Sequence, residues 1–273
     1  MLFRSVPAKQ HRNGGGWVAL SADIDDSVFV GSNALVYDQV TITGRVRIEG
    51  SARVFGNAEL HDNVMIADNA VVFGNAKMSG DTKACHQASI GGNAIITENV
   101  SVIDNAVIRG NPVLSGQTRI GGYTHISGNA IVSGGTYTNY VRINGNAKVS
   151  GNPVMSGETL ITGRAEVFDN VKISGRSKII QEVKVYDNVE ITDGIVSGDL
   201  ILTGKEKINK RRVKGERGKP IDTPGKGPPT DPGGGPPTDP GGGPPTDPGG
   251  GPPTDPGGGP PIRPRGEIGR AHV

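Results

Sequence analysis

A chain of 273 residues with 44 glycines, 20 prolines and 4% aromatic residues cannot assemble a conventional globular core from large side chains. A net charge of +2 points to no polyanionic partner, and a single cysteine, Cys85, excludes an internal disulfide framework. No run approaches about 18 consecutive apolar residues, and no charged region leads into an apolar stretch at the N-terminus, so neither a membrane span nor a secretory signal is expected.

Residues 1–21 carry Arg4, Lys9, His11, Arg12, a Gly14-Gly15-Gly16 run and the only tryptophan, and lead into a repeat. From Val30 an aliphatic residue returns at every sixth position, through Val36, Ile42, Ile48, Val54, Leu60, Ile66 and Val72, and again from Ile90 to Val132. Gly-Asn-Ala recurs at Gly56, Gly74, Gly92 and Gly128, with Gly110-Asn111-Pro112 in the remaining slot, so the larger period is 18 residues. With the aliphatic residue as position one, position three is mostly Gly or Asp, position four is often Asn, and position five is small or β-branched. Gly and Asn tolerate positive φ, so a corner is expected at positions three and four, with position five as a second inward side chain. Three short strands and three corners then close a triangular coil, and successive coils stack as parallel strands about 4.8 Å apart. An open solenoid end exposes core and strand edges, so Trp17, Val18 and Leu20 are expected to cover the first coil.

Over residues 22–204 this pattern resembles the hexapeptide-repeat, left-handed parallel β-helix superfamily. The opening Gly15-Gly16-Trp17-Val18, followed by Ala34-Leu35-Val36-Tyr37, also resembles a group of bacterial and prophage β-helix proteins without known activity. The resemblance implies an all-β fold, a single-stranded left-handed parallel β-helix solenoid, in a cytoplasmic or virion-associated protein. Enzymes of that superfamily are mainly acyltransferases using acyl-CoA or acyl carrier protein with a histidine as general base. Others are zinc carbonic anhydrases with three histidines at a subunit interface, and both kinds are usually trimers.

After Val132 the frame slips: Ile143 arrives one residue early, and the period then resumes through Ile191, giving about nine 18-residue coils in all. The segment Gly134–Tyr140 is expected to absorb a one-residue deletion as a shortened corner or bulge, with a binding site at the kink as the sharper alternative. Residues 205–219 form a basic neck in which Lys210, Arg211, Arg212 and Lys214 are the candidate polyanion contact. Nucleic acid is disfavoured as the partner, because no aromatic residue is interleaved there to stack on bases. Residues 220–273 repeat Pro-Pro-Thr-Asp-Pro-Gly-Gly-Gly four times from Pro228, a composition that reads as a disordered tether.

Candidate chemistry is sparse. His61, His86 and His125 share no ladder, so no metal site is expected and no cofactor is assigned. His86, in the irregular hexad Ala84-Cys85-His86-Gln87, and His125 are the weak catalytic candidates, with Cys85–His86 as a remote nucleophile pair. Two outward columns read as interfaces: Tyr37, Phe55 and Phe73, which should stack, and Ile95, Val113 and Ile131. The acyltransferases also carry a long excursion from the helix and a C-terminal helical element, and neither is visible. The reading therefore leans away from an enzyme, toward a structural or protein-interaction scaffold, self-associating or holding another protein, with a hexapeptide acyltransferase acting as a trimer as the alternative. A self-polymerising scaffold resembling the bactofilins is the second alternative.

Overall fold

The computed structural model describes residues 7–215, and the Pro/Gly-rich repeats and the end of the basic segment lie outside the described residues. The fold is a left-handed parallel β-helix of about eleven coils rather than the nine expected, because strands before Val30 and after Leu202 join the ladders. Its strands are mostly two to four residues long and form three sheets of 12, 11 and 11 strands. In chain order within a coil, face 1 holds Leu35–Val36 and its equivalents, face 2 holds Thr41–Ile42, and face 3 holds Arg47–Ile48.

The hexad explains the core directly. Val36, Ile42 and Ile48 at position one, and Val40, Val46 and Ala52 at position five, are all buried, and the same alternation continues to Ile208. At Thr118, Thr124, Thr159 and Ser177 the position-five hydroxyl turns back on its own corner, as Thr124 Oγ1 does to Gly121 O at 2.6 Å and Ser177 Oγ to Ser174 O at 2.6 Å, whereas the buried Thr82 hydroxyl has no partner among the described residues. A buried hydroxyl is tolerated because its hydrogen bond is made locally.

The corners divide their work differently from the sequence expectation. Positive φ falls at position three, not four: Gly56, Gly74, Gly92 and Gly110 adopt it, and so do Asp38, Asp62, Asp68, Asp104 and His86. The asparagine that follows has another reason to be there. Asn57, Asn75, Asn93, Asn111, Asn129, Asn152, Asn170 and Asn188 form one column in which each Nδ2 donates to the next Oδ1, at 2.7–3.4 Å. An amide side chain is the group that can both accept from one coil and donate to the next. The position-three aspartates stack by a second device: Asp62 Oδ2 accepts from Gly80 N at 3.0 Å, and Asp104 Oδ2 from Gly122 N at 2.8 Å.

The N-terminal cap is a hairpin. Ala8–Gln10 pairs antiparallel with Trp17–Ala19, which joins face 1 through Val18 opposite Val36. Val18 and Ala19 are buried, but Trp17 and Leu20 are exposed at 47% and 61%, so they do not cover the first coil as expected. At the other end the ladder runs past Leu202: Lys207–Asn209 and Arg212–Lys214 pair with Glu190–Thr192 and Ile195–Ser197, and Ile208 is buried. The frame change there is a one-residue shortening at Asp193–Gly194, since Lys178 pairs with Ile195 rather than with residue 196.

The earlier slip is not a deletion. Thr118 pairs with Val141, His125 with Lys148 and Ile131 with Val154, each 23 apart instead of 18. A five-residue insertion and a one-residue loss shift a six-residue frame identically, so the period alone could not separate them. Ser115 pairs with Ser133 in the ordinary register, which locates the extra residues at Gly135–Asn139, between faces 2 and 3. The insertion closes on itself through Gly135 N to Asn139 O at 2.9 Å and Asn139 N to Thr136 O at 3.0 Å.

Candidate functional site

The insertion overhangs an open cleft of about 220 Å³ on face 3. Its floor is three successive rungs, Asn99 and Ser101, then Gln117 and Arg119, then Tyr140 and Arg142, with Tyr137 at the rim. Arg119 and Arg142 are directly paired neighbours in adjacent strands. Several cations of this solenoid alternate with acids, Lys148–Glu166–Lys184 at 3.6 and 2.9 Å, Lys77–Glu59 at 2.9 Å and Lys207–Glu190 at 2.9 Å, while Lys83 and Lys178 on face 3 stand between uncharged neighbours. Among the described residues neither cleft arginine has a carboxylate partner. Like charges directly opposite each other on a sheet destabilise it, which an anion between them would reverse.

Arg142 is partly preorganised, since its guanidinium lies 5.0 Å from the Tyr140 ring centroid and donates to Tyr140 Oη. Tyr137 is 79% exposed, an aromatic surface held over the two charges. The cleft therefore offers forked donors for phosphate or carboxylate, rings for stacking, and the amides of Asn99 and Gln117. No histidine, cysteine or carboxylate lines it. It can bind an anion, and proton transfer must come from elsewhere.

One coil below Ser101, at the edge of face 3, His86 Nδ1 lies 3.2 Å from Asp104 Oδ1 and 3.2 Å from the Asp104 backbone N. The corner is fixed from the other side too, where Asp68 Oδ2 accepts from His86 N at 2.9 Å. The Asp104 amide N–H donates to Nδ1, the acceptor role an aspartate Oδ2 fills at other corners, so the neutral imidazole carries its hydrogen on Nε2, and the Asp104 carboxylate accepts from Nδ1 only when that nitrogen is protonated. At the neighbouring Cys85, burial first, then the negative charge of Asp68, pushes the thiol above the ordinary range, so it is not an activated nucleophile.

His125 stands apart on face 1, between Val107 and Lys148, with Nδ1 3.1 Å from Tyr123 O and no carboxylate beside it. His61 is tied to Thr43 Oγ1 at 2.7 Å, and among the described residues no three metal-binding side chains stand together. Tyr37, Phe55 and Phe73 stack at 4.8 and 5.3 Å, and Arg109 lies over the Phe73 ring at 4.4 Å, ending the column. Ile95, Val113 and Ile131 share one outward column of face 2. Lys210, Arg211, Arg212 and Lys214 belong to the last described coil, with Lys210 at a positive-φ corner and Arg212 and Lys214 in the terminal strand. Sequence reasoning missed Arg119, Arg142 and Asp104. The two arginines become neighbours only once the 23-residue coil is known.

No protein-family profile matches the sequence, and no curated relative does. Solved structures that resemble the chain include the Arabidopsis UDP-N-acetylglucosamine acyltransferase, at 14% identity and TM-score 0.31, covering 73% of this chain and 72% of that one. The Francisella novicida UDP-N-acetylglucosamine acyltransferase resembles it at 21% and 0.28, covering 69% and 66%. The UDP-N-acetylglucosamine O-acyltransferase of Moraxella catarrhalis does so at 15% and 0.26, covering 72% and 71%. All three are acyltransferases, which is the alternative and not the non-enzymatic scaffold that the sequence reading leaned to. The hexads, read as uninterrupted, do carry an excursion at Gly135–Asn139, five residues in length. At such identities and TM-scores the likeness reaches no individual residue, and residue roles rest on this chain's own geometry. Among the described residues no helix is long and apolar enough to cross a membrane.

Proposed function

We propose that the chain is a hexapeptide-repeat acyltransferase that takes a CoA-type donor. The observation that carries the reading is the Arg119–Arg142 pair, lacking a carboxylate partner, with Tyr140 beside Arg142 and Tyr137 at the rim. Two guanidiniums on neighbouring strands match a phosphorylated end, and a tyrosine ring matches a nucleobase. His86 lies two coils below Arg119 and three residues along, an offset on the order of 10–15 Å that an extended acyl-bearing arm can span along face 3.

In that arrangement His86 gives up the Asp104 amide and turns a hydrogen on Nδ1 to the Asp104 carboxylate, and Nε2 takes the proton of an acceptor hydroxyl or amine as its oxygen or nitrogen attacks the thioester carbonyl carbon. Asp104 holds the Nδ1 hydrogen and stabilises the imidazolium. Collapse of the tetrahedral intermediate breaks the C–S bond, and the imidazolium returns the proton to the leaving thiolate.

Release of free CoA from acetyl-CoA, followed across a panel of amino and hydroxyl acceptors, tests the proposal. His86 sits at φ +61°, so His86→Asn is the suitable variant, because asparagine tolerates that backbone. It should lower turnover by about 10²–10⁴-fold, whereas His125→Ala should leave turnover unchanged. Equal activity in His86→Asn and the parent would reject the mechanism.

A further inference from the structure

Toward the C-terminal end, face 3 carries cations with no acid between them. Its outward column reads Arg119, Arg142, Leu160, Lys178, Ile195 and Arg212, each directly paired with the next. The second outward column of the same strands ends in Ile180, Ser197 and Lys214, and it too lacks a carboxylate. The other faces are built differently: Glu166 stands between Lys148 and Lys184 on face 1, and Glu190 between Lys172 and Lys207 on face 2. Two carboxylates, Glu158 and Asp193, stand at the corner between faces 2 and 3. Asp193 Oδ1 is engaged there by the Arg176 backbone N at 2.8 Å, and the exposed Arg176 and Arg211 offset both acids. Among the described residues none of these cations has an ion-pair partner.

Five strand steps make this row about 24 Å long. A donor in the cleft accounts for one end of it only. Lys178 and Arg212 lie about 10 and 19 Å beyond Arg142, on the side away from His86, where a donor arm reaching that histidine has no use for them. A single file of charges of this length fits a linear polyanion. Residues 205–219 contain no aromatic residue, but the fold sets Tyr137 and Tyr140 at the other end of the same row. Tyr137 is 79% exposed and offers a ring face on which an unpaired base can stack, while Leu160 and Ile195 place apolar surface between the charges. A duplex hides its base faces. A membrane is planar, and the insertion at the rim would hold it off Arg119 and Arg142.

We propose that the C-terminal half of face 3 is a binding track for single-stranded nucleic acid, with phosphates on Arg119, Arg142, Lys178 and Arg212 and a base stacked on Tyr137. Lys210, Arg211 and Lys214 widen the track at the last described coil. The track extends well past the cleft, so it stands whether or not the cleft binds an acyl donor.

Fluorescence anisotropy of a labelled dodecathymidylate strand, titrated with the full chain over a salt series, tests the proposal. Saturable binding is expected, and four phosphate contacts give a slope of about −3 for log affinity against log salt. Lys178→Ala/Arg212→Ala removes two exposed cations, so it should make that slope shallower by about 1.4 and leave CoA binding and the circular dichroism spectrum unchanged. Tyr137→Ala should weaken strand binding by about tenfold or more while leaving heparin binding as it was, which separates base stacking from charge. Retained CoA binding with no strand binding at about 50 mM salt would reject the track and leave the donor reading standing. Three other results would also overturn it: equal strand affinity in the parent and both variants, displacement of the strand by heparin or duplex as readily as by unlabelled strand, or binding to phosphatidylglycerol vesicles without binding to the strand.

Discussion

Joining Gly134 directly to Tyr140 by deleting Gly135–Asn139 should leave the solenoid folded. Ser115 opposite Ser133 and Thr118 opposite Val141 already flank the insertion in correct pairing, so removing five residues turns a 23-residue coil into an ordinary 18-residue one. The hydrogen bonds lost, Gly135 N to Asn139 O and Asn139 N to Thr136 O, lie within the deleted segment. The Thr118 Oγ1 contact with Gly134 N, at 3.2 Å, is kept. Shortening an exposed loop by this amount changes closure entropy by less than about 1 kcal/mol, and in the stabilising direction. For a body of this size that corresponds to a rise in melting temperature of up to about 4 °C. Thermal unfolding followed by circular dichroism measures it. A fall of more than about 10 °C, or loss of the β spectrum, would refute the insertion as the origin of the frame shift. The same variant loses Tyr137 and should bind CoA more weakly.

The asparagine column makes a second expectation. Asn111 accepts from Asn93 at 2.7 Å and donates to Asn129 at 3.0 Å, so Asn111→Ala should cost about 1–2 kcal/mol in urea unfolding. Asn111→Asp should be worse than alanine at neutral pH, where a carboxylate faces the Asn129 oxygen, and should recover in acid once the protonated carboxyl can donate. Gly110→Ala should also be destabilising, by about 1–3 kcal/mol, because φ is +79° and a Cβ would meet Gly128 O at 2.8 Å. The hydrogen bond from Lys207, then its charge, holds the Glu190 carboxyl below the ordinary range. Its stabilisation is present above the unfolded carboxylate pKa and lost as pH falls through the folded one, so Glu190→Gln should flatten the acid limb of a melting-temperature profile. Cys85, with its thiol pushed up, should alkylate slowly at neutral pH and still be accelerating above the usual thiol range.

Much of the fold is legible in the hexad because inward and outward positions alternate with a fixed period, and Val36, Val40 and Ile42 fall where that period puts them. The aromatic column is legible for the same reason, since stacking follows from an 18-residue spacing. The site is not legible, because it arises where the period fails. Arg119 and Arg142 are unrelated residues on an 18-residue grid and neighbours on a 23-residue one. The role of Asn was misassigned to backbone conformation because Gly-Asn-Ala suggests a turn, whereas the positive φ belongs to the glycine and the asparagine serves the next coil. His86–Asp104 is legible in principle, since the two are 18 apart at the same hexad position and a histidine ladder is not the only one a histidine can join.

Isothermal titration of CoA into the full chain, with Arg119→Ala/Arg142→Ala as the paired control, tests the donor cleft most directly. Saturable binding that weakens by about 10²-fold in the double variant, and weakens steadily as salt is raised, is the expected result. No heat at millimolar CoA, or equal affinity in the parent and the double variant, would contradict the assignment of face 3 as a donor site.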